Sequence, residues 1–206
     1  MGILDVLFQR WIAPSPDTGR DNYWSSTYHT MSQYPRVIVT MAQNLIAFAA
    51  ASEQSAPPIH ENKYYMLHNA ILTHHFPLNL EYGIAPQSSI TGTGEYLVVK
   101  VAREQESIVL VVEAKKPIHD TPGGRATVKK ELIDYIEERL DETIYPTIYG
   151  IGCIGLTWVC YKMDRTGSGD PELVYDWTAN ITSAGAYESM KQLAERIHTM
   201  TGTART

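Results

Sequence analysis

Ile108-Val-Leu-Val-Val-Glu-Ala-Lys-Lys-Pro117 is the stretch on which the reading of the fold turns. An apolar run dense in Val and Ile that ends in charge and then Pro reads as a core strand with a defined end. Strand side chains alternate faces, so Glu113 and Lys115 share one side while Leu110, Val112 and Ala114 share the other. A carboxylate and an amine at the end of an apolar strand are costly to bury unless they pair or bind something. The sequence-based expectation is a strand end that faces solvent.

Immediately upstream, Tyr96 to Ala102 is a second run rich in Val and Leu, and the polar residues Arg103 to Glu106 separate it from the first. A hairpin whose connection is centred near Glu104 sets Glu95 opposite Glu113. Two carboxylates so placed repel unless a cation lies between them. With a backbone carbonyl they make an oxygen-rich site suited to Mg2+ or Mn2+.

Downstream, the Pro122-Gly123-Gly124 turn leads into the clearest helical pattern of the chain. Val128, Leu132, Ile136 and Leu140 recur every fourth residue, Ile133 widens the stripe, and Thr127 is the expected N-cap. Strand-like runs follow at Thr147 to Ile154, Leu156 to Met163 and Leu173 to Trp177. A last amphipathic helix spans Ser183 to Met200, with Tyr187, Met190, Ala194 and Ile197 on one face. Towards the N-terminus, Arg36 to Ser52 suits a helix that buries Val37, Met41, Leu45 and Phe48. Residues 61–75 suit another that buries Tyr64, Leu67, Ile71 and Leu72, closed by Pro77. Leu80 to Gly94 reads as loop or extended chain.

This order predicts an α/β fold, a mixed central β-sheet flanked by helices. Residues 36–206 are expected to form one domain, preceded by a partly irregular arm over residues 1–35 that carries Trp11, Tyr23, Trp24, Tyr28 and Tyr34. A hydrophobic content of 44% is enough for a core, and no apolar run approaches the roughly 20 residues of a membrane span. No secretory signal is legible, and Cys153 and Cys160, both in apolar runs, read as free buried thiols and not as a disulfide framework or zinc site. Cytoplasm or nucleus is the expected location, without a membrane partner. The two neighbouring histidines, His74 and His75, point different ways and make a poor metal pair.

A net charge of −6 argues against coating nucleic acid through global charge. It leaves room for a local basic groove. Lys115, Lys116, Arg125, Lys129 and Lys130 cluster against a lone acid, Asp120, and the last four are the expected substrate-binding cations.

A hairpin with an acid on its first strand, Glu-x-Lys at the end of its second and a helix after it resembles the PD-(D/E)xK nucleases, with their Holliday-junction and restriction-enzyme relatives. Val111-Val-Glu-Ala-Lys115 matches the second half of that motif. Glu131-Leu-Ile-Asp-Tyr135 resembles the Gln-x-x-x-Tyr helix, and the runs at Tyr149-Gly-Ile-Gly152 and Thr157-Trp-Val-Cys-Tyr161 resemble the later sheet. The likeness covers roughly residues 60–177, and it departs from the family in Gly94-Glu95 for Pro-Asp and in Glu131 for Gln.

The resemblance implies a restriction-endonuclease-like core and a Mg2+- or Mn2+-dependent nuclease acting on DNA or RNA. Glu95, Glu113 and the Ala114 carbonyl would hold the metal, and Lys115 would position or activate water. Glu61 and Glu81 are the candidates for a further acid. The alternative is a nuclease-like domain of weak or absent catalysis that binds a nucleic acid or a protein. Oligomeric state is left open, a homodimer included.

Overall fold

Alternating and fourfold apolar spacings become strands and helices much where expected. The computed structural model describes residues 33–52, 61–88, 94–102, 105–166, 169–178 and 180–202. In chain order these form α1 (Arg36–Ser52), α2 (Glu61–His75), β1 (Tyr82–Ser88), β2 (Gly94–Ala102), β3 (Gln105–Lys115), α3 (Pro122–Arg139), β4 (Thr147–Ile154), β5 (Thr157–Asp164), β6 (Glu172–Thr178) and α4 (Ala184–Met200). Short 3-10 turns lie at Leu78–Leu80, Pro117–His119 and Leu140–Glu142. The proposed arm falls outside the described residues except for its last three, of which Tyr34 is buried.

The six strands make one mixed sheet in the order β1-β2-β3-β4-β5-β6. Neighbours pair antiparallel except β3 and β4, which run parallel and are joined by α3. A parallel pair needs such a crossover, and the helix it uses must lie on one face of the sheet. β3, second from neither edge, is buried from Ser107 to Ala114.

The two faces carry separate cores. On one, Val128, Leu132 and Ile136 of α3 are buried, with Leu97, Val111, Ile148, Val159 and Tyr161 in the same apolar layer. Each such side chain contributes about 1.5–3 kcal/mol through removal from water. The other face packs Val98, Leu110, Val112, Ala114, Ile151, Cys153, Trp158 and Cys160 against α1, α2 and α4. Both cysteines are free and buried, as expected.

α3 lies close to the sheet because β4 offers it two glycines. A Cβ at Gly150 would stand 2.5 Å from the Ile136 Cδ1, and one at Gly152 would stand 2.6 Å from the Val128 Cγ1. The helix begins earlier than its apolar stripe implies. Thr121, not Thr127, is the N-cap: its hydroxyl accepts from the Gly124 amide at 3.0 Å, and Pro122 occupies the first turn. Pro is well suited there because its missing N–H would have no intrahelical partner. Thr127 instead sits within the helix and donates to the Gly123 carbonyl at 3.1 Å.

One further expectation is narrowed and another corrected. Residues 82–88, read as loop or extended chain, form the edge strand β1. Gly83, Pro86 and Ser88 weaken any local strand signal, and an edge position tolerates Pro86, which has no amide to donate. In α1, the inward face is Ile38, Ala42 and Leu45, whereas Val37 is 58% exposed. The burial of Tyr64, Leu67, Ile71 and Leu72 in α2 agrees with its periodicity.

Candidate functional site

The strand alternation that sets Val111 under α3 carries Glu113 and Lys115 to the same face two and four residues later. The helix covers them. Glu113 is fully buried and Lys115 is only 12% exposed, so the expectation of a solvent-facing strand end is corrected. The Lys115 Nζ stands 2.8 Å from the Glu113 Oε1 and 2.8 Å from an oxygen of Glu131 on α3. Burial works to lower the Lys115 pKa, but hydrogen bonds and charge from Glu113 and Glu131 outweigh it, and the net shift is upward. The lysine is held as an ammonium between two carboxylates.

The hairpin pairs as the sequence implies at this end. Glu95 lies opposite Glu113, and Gly94 opposite Ala114. The register slips by one between Val98 and Val99, farther from the site. On the other side of β3, Gly152 is the partner of Glu113 and Cys153 of Ala114. Burial first, and the Glu113 charge second, push the Cys153 thiol up, so this cysteine is no nucleophile.

Hydrogen bonds from the β4–β5 turn and from α2 fix the strand end. The Lys115 carbonyl accepts from the Gly155 amide at 2.9 Å, and the Tyr65 hydroxyl donates to the Ala114 carbonyl at 3.5 Å. Gly155 adopts φ +59, in the left-handed region, and the Pro117 ring closes over it. Its carbonyl meets the His68 Nε2 at 3.1 Å. A carbonyl can only accept, so Nε2 carries the proton. Burial pushes the His68 pKa down to about 4, partly opposed by that bond, and the ring is neutral.

The remaining predicted residues divide. Glu81 precedes the end of β1 where Tyr82 pairs with Lys100, whereas Gln87, at the other end of the same strand, pairs with Glu95. Glu81 is therefore remote from Glu113, and its carboxylate binds the buried Lys100 ammonium at 2.9 Å. The Glu61 side chain lies outside the described residues, as does that of Glu95. Lys116 is exposed and precedes the 3-10 turn at Pro117–His119.

Arg125 pairs with Asp120 at 2.7 Å and lies 5.0 Å over the Trp177 ring, while Lys129 lies 5.4 Å over the Tyr161 ring. These two cations occupy the flank of α3 towards β5 and β6. Lys130 is ion-paired with Asp134. The basic residues thus form no single row beside Lys115. Glu131 was noted in the sequence as a departure from Gln, without its partner. Only the approach of α3 to β3 reveals it.

His74 and His75 pack edge-on with Tyr34, beside Tyr187. Burial, then the nearby His74 and His198, push the His75 pKa down to about 3. Both His68 and His75 are depressed below the ordinary histidine value of about 6.5. Their stabilising contribution is complete above that value and is lost as pH falls towards about 4 for His68 and about 3 for His75. Each should steepen the decline by up to about 1.4 kcal/mol per pH unit. Urea unfolding between pH 7 and 4 checks this, and a His68→Gln variant should show the shallower slope.

Among the described residues, no cluster of three or more His, Cys, Asp and Glu side chains forms a metal-binding group, and no helix is long and apolar enough to cross a membrane. Comparison with protein-family models, with curated proteins and with solved structures finds no match to this chain.

Proposed function

We propose that the chain is a divalent-metal-dependent nuclease with a restriction-endonuclease-like core, hydrolysing phosphodiester bonds of DNA or RNA. The observation that carries this reading is the register Glu95–Glu113 on the β2–β3 hairpin, with Lys115 on the Glu113 face at the end of β3. The crossover helix and the parallel strand β4 follow in the order that the resemblance implies. Ligand sites of open α/β sheets commonly lie at the carboxyl ends of parallel strands, which is where Glu113 and Lys115 stand.

The donor set fits a hard cation: carboxylate positions at Glu95 and Glu113 and the carbonyl of Ala114, all oxygen. Bound there, Mg2+ or Mn2+ would polarise the phosphate and lower the pKa of a water. Water adds its oxygen to phosphorus, the bond to the leaving nucleotide oxygen breaks, and a water proton ends on that oxygen. Lys115 brings positive charge to the phosphate and orients the attacking water.

A second reading, a nuclease-like domain of weak catalysis that binds a nucleic acid or a protein, is favoured by Glu131, which engages the lysine with a negative group beside a polyanion's path. One set of incubations separates the two. Wild type is expected to cleave single-stranded or duplex DNA or RNA with Mn2+ and not with EDTA. Glu113→Gln should lose Mn2+ affinity in calorimetry and turnover together, because a neutral amide is a poor ligand for a hard cation. A Glu113→Gln protein that binds Mn2+ and cleaves like wild type removes the nuclease reading. Wild type that binds nucleic acid without cleaving it selects the second.

A further inference from the structure

We propose that Glu131 is a positioning residue for the hydrolysis, holding the Lys115 ammonium against the Glu113 face from α3. This rests on the nuclease reading above and gives a role to the position at which the chain departs from the resembled helix, Glu131 for Gln. The Lys115 side chain is long and carries several rotatable bonds, so a strand end alone does not fix its amine. Here two carboxylates on different elements fix it, at 2.8 Å each. One is on the strand that carries the lysine, the other on the crossover helix. Gly150 and Gly152 let that helix approach closely enough for Glu131 to reach.

Glu131 also sets a cost. It is one-third exposed, so its negative charge would oppose a phosphate backbone drawn to Lys115. Its two roles, acceptor for Lys115 and negative charge towards substrate, separate on substitution. Glu131→Gln keeps an acceptor oxygen and removes the charge. Glu131→Leu removes both, in a residue well suited to a helix.

Cleavage by wild type, Glu131→Gln and Glu131→Leu is measured as kcat and KM, with 15N–1H spectra of the Lys115 ammonium as a reading independent of activity. KM should fall similarly in both variants, since both lose the repelling charge. The turnover number should stay within about threefold of wild type in Glu131→Gln and fall about tenfold or more in Glu131→Leu, as when a positioned transition-state group is loosened. The Lys115 ammonium signal, kept from rapid solvent exchange by its acceptors, should persist in Glu131→Gln and broaden in Glu131→Leu. Equal kcat in the two variants overturns the proposal, as does an unaltered ammonium signal in Glu131→Leu. A wild type that shows the protected signal but cleaves nothing leaves the contact standing and removes its catalytic role, which marks failure of the nuclease reading itself.

Discussion

Lys115→Ala is expected to destabilise the protein by about 3–5 kcal/mol, the cost of breaking a buried pair from one side. An exposed strand-end pair is worth only about 0–1 kcal/mol, so burial decides the magnitude. The Glu113 side chain is fully buried, and Lys115 lies beneath α3. Removing the ammonium leaves the buried Glu113 carboxylate without the opposite charge that stands 2.8 Å from it.

Replacing both groups with apolar residues of similar size, Glu113→Leu with Lys115→Met, should recover much of that loss, because no buried charge remains. Urea unfolding of the single and double variants at one pH makes the comparison. A Lys115→Ala protein within about 0.5 kcal/mol of wild type would show the pair to be solvated, and burial would not be what governs this site.

Gly152→Ala should cost about 1–3 kcal/mol, although alanine ordinarily gains where the backbone allows it. The new Cβ would meet the Val128 Cγ1 at 2.6 Å and the Val159 Cγ1 at 3.1 Å. Both are ends of β-branched side chains with little rotameric freedom. Relief requires α3 to move off the sheet, and that movement also carries Glu131 away from Lys115.

Gly83→Ala is the matched control on β1. Its Cβ would have nothing within 4 Å, so it should be neutral or gain about 0.4–1 kcal/mol. At about 2–4 °C per kcal/mol for a chain of this size, the two variants should move Tm in opposite directions. Equal shifts would mean that helix-to-sheet distance is not set at Gly152.

Locally periodic features of the site were legible in the chain itself. Period-two alternation is a property of any strand, so Glu113 and Lys115 had to share a face wherever β3 lay. The buried stripe Val128, Leu132 and Ile136 follows from helical geometry in the same way. The pairing of Glu95 with Glu113 was legible only in part. The turn sets Ala102 opposite Gln105, and a register that carried on would put Glu95 opposite Val112. The shift between Val98 and Val99 moves the ladder by one to bring Glu95 opposite Glu113.

What lay beyond the sequence was which face each element would have covered, and by what. Apolar side chains surround much of α1, so the stripe through Val37 and the stripe through Ile38 are equally helical. Packing against α2 and the core it shares selected Ile38 and Ala42, with Leu45 common to both stripes. β1 exists because β2 offers it a partner along Gly94 to Lys100, not because Gly83 and Pro86 favour a strand. The site's electrostatics belong to the same class. Glu131 lies 16 positions from Lys115 along the chain, and no local pattern joins them. Their contact is made by a helix seated on two glycines of a third element, beside a fully buried Glu113. Residues of one element share a face by backbone geometry alone, whereas burial and charge pairing arise only when distant elements compete for the same surface.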